Sequence, residues 1–293
     1  MLKRIALFLA VNCLVVLTIS TVLSLLNVKP YLTSYGLDLR ALSIFCLIWG
    51  FSGALISLVL SRKTAKWMLR IRSISPNGPQ AELYHMVARL ARAANLPEVP
   101  EVGIFDSSQM NAFATGPTKR RSLIAVSTGL LAKMEKHQLE AVLGHEISHI
   151  SNGDMVTMTL IQGVVNAFVM FLARVLAYAV TGMGRSDNRR PSHTSYYLFT
   201  ILFECVFMIL GSMVVCIFSR SREFRADRGG AILTRKEHMV AALEKLRLDH
   251  APPSDTKSAL NTLMISTRGK RGILKLFTTH PPLETRIRRL REM

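Results

Sequence analysis

Two uncharged apolar runs near the N-terminus, Ile5 to Leu26 and Ala41 to Leu60, constrain this chain more than any other feature. A hydrocarbon core about 30 Å thick is crossed by roughly 20 helical residues, and each run is long enough to do so. The chain therefore reads as an integral membrane protein. The first run has the charged start of a secretion signal, but it lacks a small-x-small cleavage site before Asn27 and a second span follows closely. It reads as a retained anchor.

Of 293 residues, 37 are Lys or Arg against 19 Asp or Glu, a formal net charge of +18. Such an excess could serve nucleic acid. Here many of the cations flank the apolar runs: Lys3, Arg4, Arg62, Lys63, Lys66, Arg70, Arg72, Arg220, Arg222 and Arg225. That is where positive charge orients helices and meets anionic headgroups, so the expected surroundings are a lipid bilayer and no nucleic acid. Cys13, Cys46, Cys205 and Cys216 fall inside apolar runs without C-x-x-C spacing and read as packing residues.

Two weaker spans follow, Met155 to about Met183 and Tyr196 to Phe218, joined by a Pro- and Arg-containing turn over Gly184 to Ser195. They read as a helical hairpin. Arg174 and Glu204 lie at similar distances from its tip, and two readings stand: the residues pair, or Arg174 snorkels to the far headgroups. The polar stretch between the two pairs of spans carries the signals of a compact domain. An amphipathic helix is expected over Ala81 to Ala94, strands over Val102 to Phe105, Asn111 to Thr115 and Leu123 to Ser127, and a helix from Glu135 with apolar Leu139, Val142, Leu143, Ile147 and Ile150. After the hairpin, helices are expected over Arg220 to Leu246 and Pro282 to Arg291. His85, His137, His193, His238 and His250 lack ligand spacing and read as surface residues.

The helix from Glu135 carries His145-Glu146-Ile147-Ser148-His149, the H-E-x-x-H pattern. Imidazoles four residues apart share one helix face and can grip one metal ion, for which zinc is the expected cofactor. Such an ion lowers the pKa of a bound water from about 15.7 to about 7, and Glu146 is placed to take that proton rather than to ligate. The competing reading is a helix with two surface histidines. The apolar stripe, however, leaves both histidines at the border of the buried face, as a cleft-lining ligand requires.

Asn152 and Met155 stand where the metzincin extension needs Gly and His, so the third ligand must come from elsewhere. Glu223 is the candidate, with Asp227 on the same helix face four residues on and able to hold a ligand histidine from behind. Alternatively these acids pair only with Arg222, Arg225 and Arg228. Residues 149 and 223 can share an ion only if an even number of spans separates them, and two candidate spans do. The hairpin tip then lies on the far side of the bilayer despite Arg185, Arg189 and Arg190, and both termini and the polar domain face the cytoplasm by the Lys and Arg count.

Met110 to Gly116, Ala141 to Asp154, Glu223 to Asp227 and Thr279-His280-Pro281-Pro282 together resemble the HtpX family of membrane zinc endopeptidases, relatives of the CAAX prenyl proteases. The similarity covers nearly the whole chain. It implies a mainly α integral membrane protein with four transmembrane helices and a cytoplasmic α+β gluzincin-type metalloprotease domain. In that frame residues 1–60 form two spans, 61–154 the first part of the catalytic domain, 155–218 the hairpin, and 219–293 the second catalytic part. The resemblance further implies one zinc ion on His145, His149 and Glu223, Glu146 as general base and acid, and proteolysis of misfolded or unassembled membrane proteins in the bacterial inner membrane. Asn111, Ala112 and Phe113 resemble the edge strand on which an extended polypeptide substrate is laid, or belong to an ordinary strand. His280 is a group behind the ligands or one that stabilises an oxyanion, as the family position suggests, or else merely a turn residue. Two rival functions remain, a prenyl-protein endoprotease and a non-catalytic chaperone or scaffold with structural zinc; Glu146 speaks against the last, because a structural site has no use for it.

Overall fold

The structure is a computed structural model that describes residues 21, 25, 31–33, 36–182, 193–249 and 280–293. Nearly all of the first expected span, residues 183–192 of the hairpin turn with its three arginines, Cys13, His250, the linker over 251–278 and Thr279 lie outside the described residues. Within them the chain is mainly helical, with a four-stranded sheet and a two-stranded ribbon, and divides into two compact units: one drawn from residues up to 57 and from 158–215, the other from 58–157 and 216–293.

Among the described residues, three helices are long and apolar enough to cross a membrane: α1 (Leu39–Leu69), α5 (Asp154–Gly182) and α6 (His193–Leu233). Their outward surfaces carry Leu160, Phe168, Leu198 and Met208, all exposed, which suits contact with hydrocarbon rather than water. A two-stranded ribbon, β1 (Leu32–Thr33) with β2 (Gly36–Leu37), precedes α1. Arg174 on α5 does pair with Glu204 on α6, at 2.5 Å from Nη1 to Oε1, and its guanidinium lies over the Phe45 ring of α1 at 5.5 Å. Cys46 and Cys216 are buried, as expected, whereas Cys205 is exposed on its helix.

The second unit is built on a four-stranded sheet in the order β3-β4-β6-β5. β4 (Glu101–Phe105) and β6 (Leu123–Ser127) pair in parallel, with β3 (Arg72–Ser73) and β5 (Ala112–Thr115) antiparallel at the two edges. All five residues of β6 are buried, because both sheet faces are covered, and this explains its unbroken apolar run. One face packs on α2 (Ala81–Ala93) and α4 (Lys136–Asn152) through Leu90, Ile124, Val126, Leu143 and Ile147. The other face buries Ile71, Phe105, Leu123 and Ala125. Between β6 and α4 runs α3 (Thr128–Lys133), whose Leu130 amide donates to the Ser127 hydroxyl at 3.0 Å.

Two expectations need correction. The helix expected over 220–246 is two helices. α6 continues unbroken from the membrane-type segment to Leu233, and α7 (Lys236–Asp249) starts afresh. The Thr234 hydroxyl and amide both turn back to the Gly230 carbonyl, at 2.8 and 3.0 Å, ending the last turn, and α7 then packs against α4. Secondly, His137 and His238 are not free surface side chains: both are half-buried, with ring centroids 5.1 Å apart. His85 is exposed, as expected. The final helix, α8, covers Leu283–Arg291 and buries Ile287 and Leu290 against α7.

Candidate active site

α4 starts at a reciprocal cap, in which the Glu135 carboxylate accepts from the third helical residue and Gln138 Oε1 accepts from the Glu135 amide at 3.1 Å. Its end is set by Gly153, at φ 70°, in the left-handed region that glycine enters without steric penalty. This reversal starts α5 at once and brings Asp154 back under the preceding turn. Asp154 Oδ2 lies 2.6 Å from His149 Nδ1. Asp154 is not among the site residues expected from sequence; the Asn-Gly-Asp step straight after the histidine helix is the signal that points to it.

Glu223 and Asp227 arrive on α6, which can approach α4 closely because Gly229 faces Ser148. A Cβ at Gly229 would stand 2.4 Å from the Ser148 hydroxyl oxygen. The close approach delivers Glu223, 1% exposed, with Oε1 3.3 Å from His149 Nε2 and Oε2 3.7 Å from His145 Nε2. The two histidine Nε2 atoms are 3.1 Å apart. Asp227 Oδ1 is 3.0 Å from His145 Nδ1, although out of line for a hydrogen bond. His280, mostly exposed, has its Nδ1 2.7 Å from Glu223 Oε2. Arg286, on α8 and unforeseen in the sequence, is buried and donates to both oxygens of Asp227 at 2.7 and 2.5 Å.

His145, His149 and Glu223 thus form a buried group able to hold a metal ion. Donors about 2.0 to 2.1 Å from a common ion in tetrahedral array are roughly 3.3 Å apart, close to the 3.1 Å between the two Nε2 atoms and the 3.3 Å from His149 Nε2 to Glu223 Oε1. Glu223 Oε1 is buried with no hydrogen-bond partner, as a waiting ligand atom would be. The donor set of two imidazoles and one carboxylate fits a divalent ion of borderline softness.

Charge is strongly coupled here. Burial would raise the Glu223 carboxyl, but the imidazoles of His145, His149 and His280 outweigh it and hold the group well below the usual carboxylate range. Burial opposes the charged form of His149, yet Asp154 and Glu223 lift it to about 9. His145 is raised likewise by Asp227 and Glu223 against its burial, and Asp227 is lowered, against its own burial, by Arg286 and His145.

A cleft of about 560 Å³ opens over this group, with Glu146, His145, Glu223 and His280 on one wall. Asn111 and Ala112 line it beside β5, an edge strand of the sheet among the described residues. Phe113 does not line it: its ring packs on Phe105 across the other sheet face, 5.8 Å between centroids, because alternate strand residues point to opposite faces.

The family model for peptidase family M48 matches residues 77–293. A protease HtpX homolog of Thiobacillus denitrificans is 47% identical over 291 residues, 99% of both chains, and one of Bacillus subtilis is 46% identical over 301 residues, again 99% of both. Among solved structures, Ste24p of S. mikatae matches with a TM-score of 0.65 at 18% identity, covering 99% of this chain but 64% of that one. That likeness is one of fold, and this chain spans about 64% of its length. Given a family match that extends over β4, β5, β6, α4, α6 and α8, and relatives so similar from end to end, the chain belongs to peptidase family M48 as a membrane metalloprotease of the HtpX kind.

Proposed function

We propose that this protein is a zinc-dependent endopeptidase that cleaves misfolded or unassembled membrane proteins at the cytoplasmic face of the bacterial inner membrane. Four spans carry it, two within residues 1–60 and a hairpin within 155–218, and the catalytic domain is shared between 61–154 and 219–293. His145, His149 and Glu223 hold one zinc ion. When bound, zinc polarises the substrate carbonyl and acidifies a coordinated water.

The remaining steps belong to the chain. Glu146, on the cleft wall next to His145, takes a proton from the attacking water and returns it to the departing amine nitrogen. Asp154 holds the His149 ring by Nδ1, which favours the tautomer that leaves Nε2 free to ligate, and Asp227 sets its charge 3.0 Å from His145 Nδ1. The outer edge of β5, unpaired among the described residues, offers main-chain groups to an extended peptide beside Asn111 and Ala112, while Phe113 anchors that strand to the sheet. His280 lies at the rim, where it can steady Glu223 and a developing oxyanion.

The observation that carries this reading is the convergence of three ligand-type side chains, with the two histidine Nε2 atoms 3.1 Å apart and the Glu223 carboxylate oxygens 3.3 Å from His149 Nε2 and 3.7 Å from His145 Nε2, and with Glu146 in the same cleft. The experiment measures zinc stoichiometry and casein cleavage in detergent for the parent and Glu146→Gln. The variant is expected to keep one zinc per chain and to lose turnover by about 10²- to 10⁴-fold. A zinc-loaded Glu146→Gln that cleaves at the parent rate would overturn it.

A further inference from the structure

Each ring nitrogen turned away from the Nε2 pair meets a carboxylate, and each of those carboxylates meets an arginine. On one side His149 Nδ1 faces Asp154 Oδ2 at 2.6 Å, and Arg225 Nη2 stands 3.4 Å from Asp154 Oδ1. On the other, His145 Nδ1 faces Asp227 Oδ1 at 3.0 Å, and Arg286 grips Asp227 by Nε to Oδ2 and Nη2 to Oδ1, at 2.7 and 2.5 Å. The remaining Arg286 nitrogen, Nη1, is 3.6 Å from Glu223 Oε2. The two arms differ in burial: the Arg225 side chain is 63% exposed and that of Arg286 only 8%.

Burying a guanidinium is expensive unless it is fully paired, so a buried arginine on two acids calls for a reason. Glu146, Asp154, Glu223 and Asp227 are all buried within this neighbourhood, and their mutual repulsion must be offset by cations. Geometry supplies a second reason. The terminal torsion of an aspartate is broad, so Asp227 alone would not keep Oδ1 towards His145. A two-point guanidinium fork fixes the plane of the carboxylate, which a lysine, as a point charge, cannot do. α8 delivers the fork under its own anchorage. Ile287 and Leu290 are in the core, and Arg289 lies over the Phe224 ring, next in sequence to Glu223, at 3.9 Å.

We propose that Arg286 is a positioning residue for the metal grip: through Asp227 it orients His145, and through Nη1 it steadies Glu223, so the last helix of the chain completes the site. This rests on the reading that His145, His149 and Glu223 hold zinc.

The test uses the full chain in detergent. Zinc affinity is measured by competition with a chromogenic chelator, ligand geometry by the visible bands of the cobalt(II)-loaded protein, and folding by melting of the metal-free form. Arg286→Met is expected to bind zinc about 10- to 100-fold more weakly and to shift the cobalt bands. Arg286→Lys should fall between it and the parent, and Arg225→Met should stay within about threefold of the parent, as an exposed pair predicts. Asp227→Asn combined with Arg286→Met should lose no more than the worse single variant, because one acts through the other. A folded Arg286→Met with the parent's zinc affinity and cobalt spectrum overturns the proposal, as does a double variant whose losses simply multiply. Should Arg286→Met not fold, Arg286→Lys decides, and parent-like affinity there overturns it. A parent that binds no stoichiometric zinc overturns the metal-site reading itself, an outcome distinct from failure of the arginine.

Discussion

His149 carries its proton at neutral pH when no metal is bound, since Asp154 and Glu223 lift its pKa to about 9 against the effect of burial. Two outcomes follow for this residue. An incoming ion must displace that proton at any pH below about 9, so apparent zinc affinity should rise with pH up to about 9 and flatten above it. The metal-free protein should behave in the opposite sense. A histidine whose pKa is raised above its unfolded value near 6.5 contributes stability that is fully present below about 6.5 and is lost as pH climbs through about 9. Calorimetric melting of the metal-free form should therefore fall across that window, and a flat profile would contradict the pairing with Asp154 and Glu223. Asp154→Asn should lower zinc affinity by about tenfold or more, measured by chelator competition, because the ring then loses its charged anchor.

At the scale of elements, the site depends on how near α6 comes to α4. Gly229→Ala would place a methyl within 2.4 Å of the Ser148 oxygen, so the helices must part or Ser148 must move. The expected outcome is loss of bound zinc larger than the loss of helical content by circular dichroism; Gly229→Ala combined with Ser148→Gly should recover zinc. A second joint ties the end of α1 to the sheet. Arg62 and Lys66 both reach Glu101 on β4 at 2.5 Å, joined by the Ser73 hydroxyl at 2.6 Å. Burial works to raise Glu101, but Lys66, Ser73 and Arg62 outweigh it and bring the carboxyl down to about 2. A depressed acid stabilises above its unfolded value near 4.5 and ceases to do so as pH falls towards 2, so Glu101→Gln should abolish the part of acid destabilisation that occurs in that window.

For the molecule as a whole, the Arg174–Glu204 pair ties α5 to α6 in the apolar unit. Removing one partner leaves the other charge in surroundings that solvate it poorly. Arg174→Met should lower stability in detergent by up to about 3 kcal/mol, and the exchange Arg174→Glu with Glu204→Arg should restore much of what either reversal alone loses. The proposed sidedness is open to a fusion test. A fluorescent protein joined after Met293 should fold and glow, and an alkaline phosphatase there should stay inactive; the reverse pattern would place the catalytic unit outside.

The site and its scaffold were legible to different degrees. Residue type and spacing on a single element were enough for the histidine pair with Glu146, the Glu223–Asp227 face, the amphipathic helix at 81–93 and the strand at 123–127, because each signal repeats with the period of its own local structure. The depth match that suggested Arg174 with Glu204 also came from simple helix arithmetic. Asp154 and Arg286 were not legible in this way, since each reaches the site through a change of direction or a distant helix rather than through a period. The same reason hid the break at Thr234 and the turning of Phe113 to the opposite face from Ala112. Which atoms converge is thus a property of packing. The sequence alone determined the metal-binding chemistry and the membrane-type segments, since both depend on residue kinds within one turn or one run. Only the tertiary structure decided that α8 brings Arg286 beneath Asp227 and that Gly229 admits α6 to Ser148, because long-range contact distances are set by how whole elements close on one another.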